Sequence, residues 1–186
     1  MLPNLNKKII KNSFTLLETI IAVFVVIVGI IGIFTIIQNL NTQSSYSSNR
    51  LIAIYLAQEG MEIIRNIRDT NWLEQQNDPE NTWDEGLIGC STGCEADFFC
   101  TTVEDPNINN PSGHHCLALY SGSLLKIDVN SFYNYFLGSD TKFKRKITIT
   151  TEGTDTLKVE VLVSWQERGK NYEFKTIEKL YNWYKP

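Results

Sequence analysis

Hydrophobic and polar positions along this chain fall into three regimes. Residues 20–37 read IIAVFVVIVGIIGIFTII, with no charge and Thr35 as the one polar side chain. Counted from Phe14, which brings in Glu18, the stretch is about 24 residues long, or roughly 36 Å as a helix, against a bilayer hydrocarbon core of about 30 Å. A helix bonds its own backbone polar groups, so it is one of the few forms such a run can take in lipid. Residues 38–49 are rich in Asn, Ser, Thr and Gln but hold no Pro or Gly to end a helix. Beyond them Ile52, Ala53, Leu56, Ala57, Gly60, Ile63, Ile64 and Ile67 recur at spacings of three and four, with Gln58, Glu59, Glu62, Arg65 and Arg68 on the opposite side. That is the stripe of an amphipathic helix packed on another layer. If unbroken from Phe14 to Asp69, the helix would be roughly 84 Å long.

The last third has period two. Residues 146–151 (KITITT), 158–165 (KVEVLVSW) and 172–181 (YEFKTIEKLY) alternate and are rich in β-branched and aromatic residues, with turn signals at Glu-Gly-Thr-Asp and Glu-Arg-Gly-Lys between them. They predict an antiparallel meander. Ile147 and Ile149 share a face, as do Val159, Val161, Val163 and Trp165, so one surface can cover the helix stripe while the other meets water. A further strand fits within 116–129, and 130–137 reads as a helical turn or an aromatic edge. The expected fold class is α+β: a long N-terminal spine helix, half transmembrane and half amphipathic, on an antiparallel sheet of three to four strands.

Charge gives the first segment a direction. Lys7, Lys8 and Lys11 precede the apolar run with no acid among them, and no Lys or Arg follows until Arg50. That excess places the N-terminus in the cytoplasm and exports the rest of the chain. The formal net charge is −4; without residues 1–13, 14 of the 17 basic residues would stand against 21 acidic ones, or −7. Neither value favours nucleic acid, and no specific nucleic-acid partner is expected. A secretory signal peptide has a shorter apolar stretch and a small-residue cleavage site after it, whereas here Gln38, Asn39, Leu40 and Asn41 follow. Glu18 also argues against a plain anchor, because an ionisable group at the start of a lipid-buried helix is costly without a partner.

The stretch Lys11-Asn12-Ser13-Phe14-Thr15-Leu16-Leu17-Glu18, followed by the apolar run, resembles the N-terminal signal of type IV prepilins and type II secretion pseudopilins. The resemblance implies a basic leader cut on the cytoplasmic side by a membrane aspartic peptidase, the prepilin peptidase. The cut would fall between Ser13 and Phe14, and Phe14 would be N-methylated. Ser13 stands where that family usually has Gly. Glu18 becomes the acid at the fifth mature position, which the resemblance makes the assembly residue: its carboxylate would neutralise the amino terminus of a neighbouring subunit in the filament core. Burying a charged amino group without such a partner would cost several kcal/mol. The step Val26-Ile27-Val28-Gly29-Ile30-Ile31-Gly32 is similar to minor pilins of the PilV kind. Gly29 and Gly32 read as sites of close helix packing or of local softening, or equally as the glycines that are simply common in membrane helices.

On this resemblance the chain divides into a leader (1–13), a transmembrane and filament-core helix (14–37), its amphipathic continuation (38–70), an acidic connecting loop holding the cysteines (71–118) and the sheet of a pilin head (119–186). Its partners would be the peptidase, the membrane and other subunits. Its place after assembly would be a surface pilus or a periplasmic pseudopilus.

Cys90, Cys94, Cys100 and Cys116 all fall in the connecting loop, and an even count in an exported domain points to disulfides, with three pairings open. A zinc site using them with His114 and His115 is the alternative, but the spacing matches no common zinc pattern. Asp78, Glu80, Asp84, Glu85, Asp97, Glu104 and Asp105 make the loop acidic without a calcium-loop pattern, which reads as a solvated surface. No Gly-rich phosphate loop, G-x-S-x-G or H-E-x-x-H occurs, so no enzymatic activity, metal or cofactor is expected. The expected function is structural, with a non-polymerising, signal-anchored binding protein as the rival.

Overall fold

The computed structural model describes residues 15–78, 80–97 and 117–183. One helix, α1, covers Leu16–Gln75. A short 3-10 turn follows at Ile88–Cys90, then strands β1 (Cys94–Ala96), β2 (Leu117–Leu119), β3 (Lys126–Ile127), β4 (Tyr133–Asn134), β5 (Ser139–Asp140), β6 (Phe143–Thr151), β7 (Thr156–Glu167) and β8 (Lys170–Tyr181). The chain divides into two compact units between Ser47 and Ser48. The first is the N-terminal part of α1. The second holds the rest of α1 and every strand.

In the second unit the helix stripe lies on an antiparallel sheet of order β2-β1-β6-β7-β8. Ala53, Leu56, Ala57, Ile63, Ile64 and Ile67 are buried, as the three-four spacing requires, against Ile147, Ile149, Leu157, Val159, Val161, Val163 and Trp165. The register explains the match. Ile147 pairs with Val161 and Ile149 with Val159, so the apolar alternation of two strands falls in phase on one face. Gly60 marks the closest approach of the layers: a Cβ there would lie 3.0 Å from Arg145 Cδ and 3.1 Å from Val161 Cγ1. At the β7–β8 turn Arg168 (φ 49°) and Gly169 (φ 76°) both take left-handed backbone, the two-residue hairpin geometry that fits strand twist.

Three expectations need correction. The sheet has five strands rather than three or four, and a separate three-stranded sheet of order β4-β3-β5 stands beside it. The added strands are two or three residues long, too short for alternation to register; β1 is held by pairing to β6, β2 by pairing to β1, and the three strands of the small sheet by pairing to one another. Secondly, the stretch 71–118 is not all connection. α1 runs on to Gln75 because Asn71 and Trp72 are buried, with Trp72 edge-on to Trp183 at 4.6 Å between ring centres and under Arg68 at 4.5 Å. β1 lies wholly inside the stretch and joins the main sheet through Cys94 and Ile147. Thirdly, Asp97 is buried at 1% exposure and is no part of a solvated surface.

Candidate functional site

The apolar segment of the first unit is helical from Leu16 and long and apolar enough to cross a membrane. Thr15 starts it: its Oγ1 accepts the backbone N–H of Glu18 at 3.3 Å, the geometry of an N-cap and one half of a capping box. Between residues 16 and 37 the polar side chains are Glu18, Thr19 and Thr35. Thr19 Oγ1 donates to the Leu16 carbonyl at 2.8 Å and Thr35 Oγ1 to the Ile31 carbonyl at 3.0 Å, so both hydroxyls return their hydrogen bonds to the helix. Glu18 differs. Its carboxylate meets no side chain among the described residues, at the helix N-terminus where a negative charge is electrostatically favoured.

None of this segment is buried within the chain: Leu16 is 78% exposed, Phe24 66% and Phe34 62%. Gly29 and Gly32 face open space, with nothing within 4 Å of where a Cβ would stand. Soluble monomers expose contiguous apolar patches of only a few hundred Å², so a continuous apolar cylinder needs lipid or other protein around it. Ser13 and Phe14, the residues of the expected cut, lie outside the described residues. So do Cys100, Cys116, His114 and His115.

Cys90 and Cys94 form a disulfide with Cα atoms 5.3 Å apart. Both are buried, and the bridge ties the 3-10 turn to the first residue of β1. Glu95, next along, is held in a way that no local pattern indicates. One carboxylate oxygen accepts the backbone N–H groups of Ser121, Gly122 and Ser123 at 3.0–3.2 Å and the Ser121 hydroxyl at 3.0 Å, which fastens the loop after β2. Among the described residues no group of three or more His, Cys, Asp or Glu is placed to hold a metal ion.

The charged centre of the head is Arg145, fully buried between α1 and the sheet. Its Nη1 donates to the Leu56 carbonyl at 3.1 Å and to Glu59 Oε2 at 3.0 Å, and its Nη2 to the Ala96 carbonyl at 2.7 Å; Nε has no partner among the described residues. One guanidinium thus joins the helix, β6 and the end of β1. The Tyr135 hydroxyl donates to the Arg145 carbonyl at 3.2 Å, and burial pushes that phenol up to about 12, against the opposing pull of the Arg145 charge. The sequence carries one signal of this cluster. In FKRKITIT, Arg145 sits in phase with Phe143, Ile147 and Ile149, a basic residue on the apolar face.

Chemically, these two places do different things. The Arg145 cluster locks three elements together, while the apolar segment carries one carboxylate that meets no side chain among the described residues. Comparison with family models, curated proteins and solved structures returns no match.

Proposed function

We propose that this chain is a structural subunit, of the minor kind, in a filament like a type IV pilus or secretion pseudopilus, and that its work is assembly rather than catalysis. The observation that carries the reading is the apolar stretch 16–37, in which the hydroxyls of Thr19 and Thr35 bond back to the helix while the Glu18 carboxylate meets no side chain among the described residues. In the bilayer the helix is stored with its N-terminus in the cytoplasm and its head exported. Cleavage by the prepilin peptidase between Ser13 and Phe14 frees an amino group, which is then methylated. In the filament, apolar helices replace lipid around one another, and Glu18 of one copy meets the Phe14 amino group of the next. Exchange of lipid for protein contacts is nearly neutral in hydrophobic terms, so a charge pair in a low-dielectric core can set the axial register. The head then decides what the fibre touches, in adhesion, motility, DNA uptake or secretion.

The rival reading, a signal-anchored exported binding protein that never polymerises, draws support from the Thr15 cap, which gives the start of the helix a local stabilising device with no second subunit. Mass spectrometry of protein purified from membranes and from sheared fibres separates the two. The proposal expects a chain beginning at methylated Phe14 in the fibre fraction. Intact Met1 in a membrane fraction, with no fibres, would refute it.

A further inference from the structure

Charge in the head is segregated to a degree that its overall balance hides. From Asp69 to Leu125 there is no Lys or Arg, while Glu74, Asp78, Glu80, Asp84 and Glu85 follow one another where α1 ends. Asp78, Glu80 and Glu85 are exposed and Glu74 and Asp84 half-exposed. Asn71 fixes this segment on the head, its Nδ2 donating to the Trp83 carbonyl at 3.2 Å and the Glu85 carbonyl at 3.0 Å.

The face of the main sheet turned away from α1 has the opposite sign. Register places Lys144, Ser164 and Glu173 in one cross-strand row, Lys146, Leu162 and Lys175 in the next, and Thr150, Lys158 and Lys179 further along. Lys175 is answered by Glu160 at 3.6 Å and Lys179 by Glu152 at 2.7 Å. Lys142, Lys144 and Lys158 have no carboxylate within 4.0 Å among the described residues. Two of these, Lys142 and Lys144, line an open groove of about 790 Å³ together with Ser164, Gln166, Asn171 and Glu173.

The two charged regions lie at opposite ends of the head. Asn49 of α1 bonds Glu167 beside the β7–β8 turn, Arg65 pairs with Glu178 further along β8, and Trp72 Nε1 donates to Asn182 Oδ1 past its end. The helix therefore leaves its acidic continuation at the end remote from the β7–β8 turn. The lysine groove, flanked by Gln166 and Asn171, opens at the turn end and in the other layer.

We infer that the groove at Lys142 and Lys144 receives the acidic segment 74–85 of a second copy of this chain, in a head-to-tail contact. A two-fold contact through either patch would set like charge against like, whereas a heterologous one joins unlike charges and leaves a free patch at each end for the next copy. A protein partner also fits the groove better than a polyanion does. Glu173 stands among its donors, Gln166 and Asn171 offer both donors and acceptors, and the chain as a whole carries −4. The inference deepens the filament reading and rests on it for the presence of aligned copies.

The test uses the full chain in membranes and in sheared fibres, made as an equal mixture of ¹⁴N- and ¹⁵N-labelled copies and coupled with a zero-length carbodiimide. Mixed-isotope cross-links between 74–85 and Lys142 or Lys144 are expected, falling several-fold as salt rises from about 50 to about 500 mM. Lys142→Glu with Lys144→Glu should cut their yield at least tenfold. Mixing that chain with an Asp78→Lys, Glu80→Lys partner should restore coupling, now with the amines supplied by the 74–85 segment and the carboxylates by the groove. Cross-links confined to one copy, or a yield indifferent to charge reversal, overturn the inference even where fibres form and the filament reading stands. Retention of the wild-type chain on immobilised polygalacturonate through the same lysines, without coupling between copies, overturns it in favour of an acidic glycan. Coupling of this pattern between copies that retain Met1 and form no fibres upholds the contact and refutes the filament.

Discussion

Truncating Glu59 to alanine should cost the head more than removing the arginine it serves. Arg145 is at 0% exposure, and Glu59, 3.0 Å from its Nη1, is 32% exposed. Without that carboxylate the guanidinium remains buried on two backbone carbonyls and loses its ion-pair partner. Breaking a buried pair from one side costs about 3–5 kcal/mol, and water reaching the vacated Glu59 position puts this case near the low end, about 3 kcal/mol. Arg145→Met removes the charge and its desolvation penalty together. It keeps much of the volume beneath Gly60 and leaves the Leu56 carbonyl its ordinary helix bond, so the Ala96 carbonyl is the acceptor left short. The expected loss is below about 1.5 kcal/mol. Adding Glu59→Ala to Arg145→Met should then cost little more. Urea unfolding of the full chain in detergent, followed by tryptophan fluorescence, reads all three variants, because Trp72, Trp83, Trp165 and Trp183 all lie in the second unit. A larger loss for Arg145→Met than for Glu59→Ala, or a double variant whose loss equals the two single losses added, would show that the pair is not the coupled unit described.

Two further outcomes follow from the same unit. The Cys90–Cys94 bridge closes a very short loop, so its replacement by alanines should lower stability by about 2 kcal/mol in the chain-entropy account, read as a lower urea midpoint, and thiol alkylation of native protein should leave both residues unlabelled until reductant is added. Tyr135, raised to about 12 by burial, keeps its proton in the folded state while an unfolded phenol gives its own up near 10. Its contribution is complete below pH 10 and is lost as pH rises to 12, on the order of 2 kcal/mol; unfolding midpoints of wild type and Tyr135→Phe should converge over that window, and parallel curves would refute the assignment.

How much of this was readable beforehand follows from length and phase. The helix stripe from Ala53 to Ile67 and the alternation of 158–165 each repeat their period several times, and both faces lie where those periods put them. β1, at three residues, gives alternation nothing to repeat; its burial on every side comes from β2, β6 and the disulfide. Gly138 tells the same story in the small sheet. With φ 107° and Ile127 O 2.0 Å from where a Cβ would stand, it is dictated by a neighbour eleven positions away that no local pattern names. Asp97 looks like a solvated acid in sequence, and Glu95 beside it carries no local sign of burial, because the groups that meet them, the Tyr135 N–H at 3.4 Å in one case and three consecutive N–H groups in the other, come from distant backbone. Arg145 was legible but for the rule that a charged side chain on an apolar face is an exception.

The two readings of Glu18 can be separated because they use different atoms. The cap engages the backbone N–H of residue 18 and the hydroxyl of Thr15; the proposed register pair engages the carboxylate. Glu18→Gln keeps the former and removes the latter's charge, while Thr15→Val does the reverse and costs the helix start about 1 kcal/mol. A loss of that size at one end of a segment long and apolar enough to cross a membrane should not change whether the segment inserts. An uncompensated amino group in an apolar core is worth several times as much. Fibre yield by shearing, normalised to membrane-inserted chain, should therefore fall at least tenfold for Glu18→Gln and stay within twofold of wild type for Thr15→Val. Equal yields from both variants would remove the charge pair from the assembly argument, and a fall with Thr15→Val alone would make helix initiation, not register, the step that assembly depends on.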